Sequence, residues 1–373
     1  MQETPLTEWH KQQGAKMVEF GGYLMPLSYG SIVGEHHIVR QSAGLFDVSH
    51  MGEFVVEGEC AAAFLDHVVT NAPSRLAISQ VMYTPMCFPD GGTVDDLLIY
   101  RLADQRFGLV VNAANRQKDW QWLMQQAAHW ADSKTLNLRD DSDEYALLAL
   151  QGPDAWKILS AVVDEPSDRE ALENLRYYWA RPAVQTSGVA VDISRTGYTG
   201  EDGFELLVPA HGARIVWQAL VDHGARPVGL GARDSLRLEA RLPLYGHELT
   251  SEIMPLEAGL KSFVVWDKAD PFIGQKALAS LQENGLSRKL IGLQTDPGRL
   301  PRAGLAVYAP GVEEAVGVIT SGGYSPTRES GIALALVSLP YTQIGQRLEL
   351  DVRGQRMGAT VVKTPFYSRK AKK

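Results

Sequence analysis

The chain is poor in cysteine and in positive charge, and it lacks long hydrophobic runs. Only 2 of its 373 residues are cysteine, Cys60 and Cys87, which is too few for a disulfide framework or a cysteine-based zinc site. No stretch of about 18 apolar residues is present, so we expect no transmembrane helix. The formal net charge of -8 argues against broad binding to nucleic acid or to anionic membranes.

The two ends of the chain carry little targeting information. The first five residues, Met1 to Pro5, show neither the basic nor the apolar segment of a secretory signal, so we expect a cytoplasmic protein. Basic residues gather at the carboxyl end, and we interpret 368–373 as a solvent-exposed basic tail. A hydrophobic content of 45% and a charged content of 21% are typical of a globular protein of two or three domains.

Two common catalytic signatures are also missing. No Gly-x-Ser-x-Gly elbow of a serine hydrolase is present. Histidines and carboxylates do gather near the amino end, where a metal site would use Glu35, His36, His37, Asp47 and His50. Their spacing fits no His-Glu-x-x-His pattern, and the neighbouring histidines would point apart, so we expect no metal.

Apolar and polar residues alternate in ways that predict strands and helices along the whole chain. Before residue 285 we predict strands over 52–57, 91–100, 108–112, 145–151, 189–194 and 203–208. Helices are predicted over 61–69, 115–130, 213–223 and 232–241, with Asn112 or Asn115 as the N-cap of the second. A further helix opens at Gly152-Pro153-Asp154, where proline suits the first turn.

The pattern changes at residues 285–287, which we take as a domain boundary. Short strands separated by Gly and Pro turns follow, over 289–293, 306–308, 316–320, 332–336, 347–352 and 357–363. We therefore predict an α+β fold, with two interleaved α+β subdomains over 1–284, an all-β barrel over 285–367 and the basic tail over 368–373.

Two adjacent carboxylates, Asp95 and Asp96, open an otherwise apolar strand after the pair Gly91-Gly92. Successive strand residues face opposite sides, so one carboxylate can point into a cleft while the other meets solvent or caps the turn. Taken alone, the pattern is more typical of two turn residues.

The segment 195–205, Arg-Thr-Gly-Tyr-Thr-Gly-Glu-Asp-Gly-Phe-Glu, is rich in glycine, which lets the backbone approach a flat ligand. Tyr198 offers a ring face and a hydroxyl. Glu205 can accept two parallel N–H bonds from a guanidine-like edge, such as that of a pterin. A tight hairpin with surface acids explains the pattern equally well, and the Gly-Lys-Ser/Thr of a P-loop is absent.

The segment 229–239, Gly-Leu-Gly-Ala-Arg-Asp-Ser-Leu-Arg-Leu-Glu, resembles a dinucleotide fingerprint only superficially. Asp234 stands at the third glycine position, and no long strand precedes the segment. Arg233 and Arg237 share a helix face. By themselves Arg233, Asp234, Arg237 and Glu239 are more typical of a surface ion-pair set.

Ordered motifs along the whole chain point to one family. They lie at 14–22 (GAKMVEFGG), 25–27 (MPL), 29–31 (YGS), 35–37 (EHH), 44–51 (GLFDVSHM), 110–112 (VVN), 150–153 (LQGP), 198–205, 229–239, 319–322 (ITSG) and 325–327 (SPT). On these motifs the chain resembles the T-protein family of the glycine cleavage system, which are tetrahydrofolate-dependent aminomethyltransferases.

The resemblance implies a cloverleaf-like arrangement of three domains, with tetrahydrofolate in a central opening. Asp95 matches the family's catalytic aspartate, and Glu205 and Arg233 match its folate-binding residues. The remaining residues that the resemblance places at the folate are Tyr83, Asn112, Tyr198 and the carboxyl-terminal aromatic Tyr367. The run Gly322-Gly323-Tyr324 departs from the family's more usual single glycine followed by a small residue.

The resemblance also implies the reaction. The methylene of an aminomethyl group on the lipoyl arm of H-protein would pass to tetrahydrofolate, releasing ammonia and leaving 5,10-methylenetetrahydrofolate. The co-substrate is tetrahydrofolate and the partner is lipoylated H-protein, with no metal, nucleotide, nucleic acid or membrane expected. Another folate-dependent demethylase and a non-catalytic folate-binding protein stay open as alternatives, because a fold does not fix a reaction.

Overall fold

The structure is a computed structural model that describes residues 1–130 and 135–369. Within these residues the chain forms nine α-helices and nineteen β-strands. The helices are α1 (Thr7–Gln12), α2 (Ile32–Gln41), α3 (Ala61–Val68), α4 (Arg116–Ala128), α5 (Ala155–Val162), α6 (Pro166–Glu173), α7 (Ala213–Asp222), α8 (Leu230–Glu239) and α9 (Gln275–Asn284).

The strands before residue 285 are β1 (Lys16–Phe20), β2 (Tyr23–Ser28), β3 (Gly44–Asp47), β4 (Gly52–Glu57), β5 (Val81–Cys87), β6 (Thr93–Ala103), β7 (Arg106–Val111), β8 (Asn137–Asp140), β9 (Tyr145–Gln151), β10 (Ala180–Thr186), β11 (Val189–Ser194), β12 (Gly203–Pro209) and β13 (Arg226–Pro227). Those after it are β14 (Arg288–Thr295), β15 (Ala306–Tyr308), β16 (Gly317–Ser325), β17 (Ser330–Ser338), β18 (Arg347–Val352) and β19 (Gln355–Val362).

Two large sheets, a two-stranded sheet of β1 and β2, and a barrel organise these strands. A six-stranded sheet has the order β10-β11-β12-β9-β3-β13, a five-stranded sheet the order β5-β6-β7-β4-β8, and strands β14 to β19 close into a barrel. Because β3 precedes the five-stranded sheet in the chain and β9 follows it, the two sheets are interleaved. The predicted α+β fold with a carboxyl-terminal barrel is confirmed, while the domain boundary at 285–287 stays a prediction.

Each sheet buries one apolar face under helices. On the six-stranded sheet, Leu206 and Val208 pack with Trp217 of α7 and Leu159 of α5. On the five-stranded sheet, residues of β4, β6 and β7 pack with Phe64 of α3 and with α4. A third cluster lies where the other faces of the two sheets meet, and it joins residues from both sheets to α8. Function is therefore expected between the sheets, where polar side chains interrupt this cluster.

The beginning of one helix was predicted to within a residue, and the beginning of another was predicted too early. Asn115 occupies the position before α4, but its side chain makes no cap hydrogen bond and instead donates to Asp95, 2.7 Å away. Helix α5 begins at Ala155, so Pro153 lies before the helix rather than in its first turn. A tertiary contact thus takes the side chain that was predicted to cap α4, and a turn that contains Pro153 precedes α5.

The amino acids at the carboxyl end are described only in part. Of the predicted basic tail, 370–373 lie outside the described residues, whereas Arg369 forms an ion pair with Asp202 at 3.2 Å. Among the helices of the described chain, none is long and apolar enough to span a membrane.

Candidate active site

The alternation of side chains along β6 decides which of the paired carboxylates faces the space between the sheets. Leu97 and Ile99 lie in the apolar cluster under α3 and α4, and Asp95 shares their face of the strand. Tyr100 faces the other way, and its hydroxyl lies 3.3 Å from Oγ of Ser194 on β11 of the six-stranded sheet. Asp96 shares the face of Tyr100 and therefore points between the sheets.

Asp95 is fully buried and surrounded by protein donors. Its Oδ1 accepts from Nδ2 of Asn112 at 2.9 Å and from Nδ2 of Asn115 at 2.7 Å. Its Oδ2 accepts from the backbone N–H of Asn112 at 3.2 Å. The carboxylate predicted to be catalytic is thus enclosed beneath the sheet, and Asn112 is the predicted site residue that donates to it.

Asp96 is the carboxylate that meets those residues. It is 8% exposed, its Oδ2 accepts from the Tyr83 hydroxyl at 2.8 Å, and its Oδ1 accepts from Asn112 Nδ2 at 3.1 Å. Burial, together with the neighbouring charge of Asp95, raises the pKa of Asp96 to about 7. The geometry therefore favours Asp96 over Asp95 as the group that can contact a ligand.

The glycine-rich turn is held by buried hydrogen bonds. Gln151 donates to the carbonyl of Thr196 at 3.0 Å and accepts from the hydroxyl of Thr199 at 3.0 Å. A Cβ on Gly197 would lie 1.9 Å from Gln151 Oε1, so glycine is required there. The hydroxyl of Tyr198 donates to the carbonyl of Pro243.

Glu205 is the third residue of β12, which follows this turn, and its side chain lies in the same space as Asp96. It is 7% exposed, and one carboxylate oxygen accepts from the Thr196 hydroxyl. Burial raises the pKa of Glu205, opposed by that hydrogen bond and by the charge of Arg233. N–H donors on a ligand would strongly stabilise a carboxylate buried in this way, because they favour its charged form.

Arg233 of α8 adds a positive charge to the site, and that charge acts on Glu205. Its guanidinium lies over the ring of Tyr198, 4.6 Å from the centroid, and its Nη1 is buried without a hydrogen-bond acceptor in the described chain. His50 is also buried there, and burial together with the charge of Arg233 lowers its pKa to about 4, so it is neutral at pH 7. An oriented donor with no protein acceptor is suited to an acceptor on a ligand.

These contacts define what we call the inter-sheet cluster, which consists of Tyr83, Asp96, Asn112, Tyr198, Glu205 and Arg233. Charges from the five-stranded sheet and from α8 act on Tyr198. Burial and the charge of Asp96 raise its pKa, whereas the charges of Arg237 and Arg233 lower it. Five of the seven predicted site residues belong to this cluster. Asp95 and Tyr367 do not, and Asp96 was not predicted.

Tyr367 belongs to a neighbouring group. The guanidinium of Arg40 lies 3.8 Å from its ring centroid, and its backbone N–H donates to the carbonyl of Glu239 at 2.9 Å. A Cβ on Gly200 would lie 3.8 Å from the Tyr367 ring. Tyr367 therefore packs against the glycine-rich turn at Gly200, which lies two residues after Tyr198 in the chain. Its contact with a ligand stays a prediction.

The predicted surface ion-pair set of α8 is wrong for two of its members. Arg237 is only 2% exposed, and it donates to Glu248 at 2.8 Å and to the Ser321 hydroxyl of the barrel at 2.9 Å. Glu239 is fully buried. The partners come from distant parts of the chain, so helix spacing alone gave no sign of burial.

Glu239 is the centre of a buried network between α2, α8 and the barrel. It accepts from Arg40 at 2.9 Å and from the hydroxyls of Ser325 and Thr327, and it lies 3.2 Å from His36 Nε2. Although burial opposes ionisation, the hydrogen bonds led by that of His36 lower the pKa of Glu239 to about 2. This network fixes the barrel against the interleaved sheets.

Glu35 and Asp47, two other residues of the metal site considered from the sequence, bind structural partners. Glu35 accepts from the backbone of Tyr29 at 2.8 Å and of Gly229 at 2.8 Å, which positions the start of α8. Asp47 lies 2.9 Å from His10 and accepts from the Thr4 hydroxyl at 2.6 Å. These side chains serve different elements and do not converge.

The fold and the cluster define a class of protein: two interleaved α+β sheets with a carboxyl-terminal barrel, and a polar small-molecule site where the sheets meet. Residues 6–268 match the model of the GCVT N-terminal domain, and residues 288–368 match the glycine cleavage T-protein C-terminal barrel domain. Together these models cover most of the chain.

Relatives of known identity agree over the whole length. The chain is 45% identical to an aminomethyltransferase of Desulfitobacterium hafniense, covering 99% of both chains. It is 48% identical to one of Shouchella clausii, covering 98% of both. The crystal structure of glycine cleavage system aminomethyltransferase T from Bartonella henselae, at 34% identity, superposes with a TM-score of 0.88 over 98% of each chain. The chain belongs to the glycine cleavage T-protein family, and the enzyme class of that family is aminomethyltransferase.

Proposed function

We propose that this chain transfers the methylene of an aminomethyl group, carried on the lipoyl arm of H-protein, to tetrahydrofolate. The products are 5,10-methylenetetrahydrofolate, ammonia and the dihydrolipoyl arm. The observation that carries the proposal is the buried Nη1 of Arg233, which has no acceptor in the described chain, beside the Tyr198 ring and in the same cluster as the buried carboxylates of Glu205 and Asp96. Membership of the T-protein family supports the same reaction.

The donors and acceptors of the cluster suit a folate. Glu205 offers an acceptor for the guanidine-like edge of a pterin, and Nη1 of Arg233 offers a buried donor that has no protein acceptor among the described residues. We therefore propose that Glu205, Arg233 and Tyr198 hold the folate, with Tyr83 and Asn112 orienting Asp96. Positioning of this kind lowers a barrier by several kcal/mol, because the reacting groups are held near one another.

We propose Asp96 as the carboxylate that acts on the substrate. As the carbon–sulfur bond of the aminomethyl group breaks, the sulfur leaves as the thiolate of the dihydrolipoyl arm and positive charge develops on the methylene carbon. A nearby carboxylate stabilises that charge and accepts the proton of the folate nitrogen that bonds to the carbon. A pKa near 7 suits a group that changes protonation during turnover. Asp95, which matches the family motif, lies beneath the sheet and supports Asp96 without contacting the substrate.

One assay tests this function directly. Purified chain is mixed with aminomethylated, lipoylated H-protein and tetrahydrofolate, and 5,10-methylenetetrahydrofolate is measured. Formation of the product that depends on all three components supports the proposal. Tight folate binding without product favours the non-catalytic alternative, and turnover of a methylated small molecule without H-protein favours a demethylase. The cytoplasmic location and the absence of a metal or nucleotide cofactor stay predictions.

A further inference from the structure

Buried hydroxyl groups connect Glu205 on the six-stranded sheet to Tyr100 on the five-stranded sheet. The Thr196 hydroxyl donates to one carboxylate oxygen of Glu205, and Oγ1 of Thr196 lies 2.8 Å from Oγ of Ser194. That Oγ lies 3.3 Å from the Tyr100 hydroxyl. Ser194 and Thr196 are only 4% and 2% exposed, so water competes little for these bonds. We call Tyr100, Ser194 and Thr196 the hydroxyl chain.

Strand pairing brings the members of the hydroxyl chain together. Ser194 at the end of β11 is the cross-strand partner of Glu205 on β12, so their side chains share a face of the sheet. Thr196 stands at the start of the glycine-rich turn that joins these strands. Tyr100 lies four residues after Asp96 on β6, on the face that meets the other sheet. The hydroxyl chain therefore fixes Glu205 relative to the strand that carries Asp96.

The hydrogen bonds of the hydroxyl chain run in one direction, because each hydroxyl carries a single hydrogen. Thr196 uses its hydrogen on Glu205, so Ser194 is the donor in the contact between Ser194 and Thr196. The hydrogen of Ser194 is then used, so the Tyr100 hydroxyl donates to Ser194. The backbone carbonyl of Glu205 is a second acceptor for Ser194, but at 3.5 Å it is the longer contact. Every hydroxyl of the chain thus donates toward the carboxylate, and hydrogen bonds in such a series strengthen one another.

We propose that Tyr100, Ser194 and Thr196 are positioning residues for Glu205, because their hydroxyl chain favours the ionised carboxylate and orients it toward the ligand. The chain occupies one carboxylate oxygen. No donor among the described residues reaches the other, Oε1, which is left for the N–H groups of a ligand. Where that ligand is taken to be tetrahydrofolate, the inference rests on the proposed function.

The groups that face Glu205 are the guanidinium of Arg233 and several phenols. Burial raises the pKa of Glu205, and the Thr196 hydrogen bond, followed by the charge of Arg233, opposes that shift. Burial and the negative charge of Glu205 raise the pKa of the phenols, which belong to Tyr100, Tyr177 and Tyr178. Further charges act on these phenols, from Glu53, Asp202 and Arg369. Because the phenols are neutral at pH 7, the ionised form of Glu205 is favoured by the hydroxyl chain and by the charge of Arg233.

The pKa of Glu205 can be measured by NMR without a ligand. The intact chain is labelled with 13C in its glutamate carboxyl groups, and Glu205→Gln identifies the resonance by its loss. We expect Thr196→Val, which keeps the shape and removes the donor, to raise the pKa of Glu205 by about 1 unit, and Thr196→Ser to restore the wild-type value. Tyr324→Phe, at an exposed tyrosine of the barrel, is the control and is expected to leave that pKa unchanged. An equal pKa in the wild type and in folded Thr196→Val overturns the proposal.

A double-mutant cycle tests whether the hydrogen bonds act as a chain. Tyr100→Phe removes only the most distant donor and is expected to raise the pKa of Glu205 by about 0.3 unit, because its effect passes through Ser194 and Thr196. In the Thr196→Val background the same change is expected to add nothing, since the link to Glu205 is already broken. Equal effects of Tyr100→Phe in both backgrounds would mean that the phenol acts through space, and would overturn its place in the chain.

Folate binding separates this inference from the function on which it rests. Titration calorimetry with tetrahydrofolate is expected to give Thr196→Val a Kd near that of the wild type at about pH 8 and about fivefold weaker at about pH 5.5, because its Glu205 gains a proton first as the pH falls. If the pKa of Glu205 shifts as expected but the wild type does not bind tetrahydrofolate, the hydroxyl chain is supported and the folate assignment fails. If tetrahydrofolate binds and the variant has the Kd of the wild type at both pH values, the positioning role is overturned.

Discussion

The hydroxyl of Tyr83 lies 2.8 Å from Oδ2 of Asp96, which fixes one oxygen of that carboxylate on the face of the sheet that meets the glycine-rich turn. Asp95, one residue earlier, points beneath the sheet. Because Asp95 and Asp96 have the same charge and residue type, only the face of β6 on which each side chain lies distinguishes them.

The paired substitutions Asp96→Asn and Asp95→Asn test this facing. Asp96→Asn keeps the shape but removes the charge, so we expect kcat to fall about 10²–10⁴-fold with little change in folate Kd. Asp95→Asn is expected to act first on stability, by about 1–3 kcal/mol, since it replaces a fully bonded buried acceptor. Turnover at saturating folate and urea unfolding measure the two effects. An inactive but fully stable Asp95→Asn, beside an active Asp96→Asn, would return the catalytic role to Asp95.

Glu205 provides the test of folate binding. Glu205→Ala is expected to weaken tetrahydrofolate binding by about 2–4 kcal/mol, because it removes a charge-assisted acceptor and leaves ligand donors unpaired. Titration calorimetry on the folded variant measures the change. Glu173→Ala, on the exposed face of α6, is the control and is expected to bind as the wild type does. Wild-type affinity in Glu205→Ala would contradict the assignment.

The sequence was most informative where local pattern controls structure. All six barrel strands were predicted because their alternation and turn residues act over a few positions, and β9 and β11 were predicted at their observed bounds. The facing of Asp95 and Asp96 was not predicted, because it depends on which side of β6 the helices α3 and α4 cover. The burial of Glu239 depends on Ser325 and Thr327, which lie more than eighty residues away in the chain.

Asn115 and Asp119 show the same limit. Both stand at ordinary positions for a helix start, an N-cap and an acidic first turn, and these are sufficient local explanations. Only the packing of α4 against β6 places Asn115 beside Asp95 and buries Asp119. The sequence feature that could have indicated this burial is the high content of polar residues in α4, a helix that covers an apolar face of the sheet.

Gly197 controls the shape of the glycine-rich turn. In Gly197→Ala the new Cβ would lie 1.9 Å from Gln151 Oε1, so Gln151 must move and lose its bonds to Thr196 and Thr199. We expect a loss of about 1–3 kcal/mol in the free energy of unfolding, together with weaker folate binding because Tyr198 shifts. Gly30→Ala is the matched control, since its Cβ would meet no atom within 4 Å. Equal thermal unfolding of the two variants would show that the turn accommodates a side chain.

Glu239 makes stability depend on pH in the acid range. Its pKa is about 2 in the folded chain, against an ordinary value of 4.5, so the unfolded chain binds a proton first as the pH falls. The stabilisation is present above about pH 4.5 and is lost as the pH falls toward 2, by about 3 kcal/mol in total. His36 adds to the trend, because burial lowers its folded pKa below 6.5 and acid therefore favours the unfolded chain.

Glu239→Gln isolates that contribution. At pH 7 we expect it to lower the free energy of unfolding by about 2–4 kcal/mol, since Arg40 loses one of its two buried carboxylate partners and keeps Glu201. The difference from wild type, measured by urea unfolding, is expected to shrink as the pH falls from about 4.5 toward 2, because protonation then removes the same charge from the wild type. Glu313→Gln, at an exposed position of the barrel, provides the control for a general charge effect. A difference that stays constant over that range would mean that Glu239 stabilises the barrel contact by its shape alone, since only an ionised group can lose stabilisation on protonation.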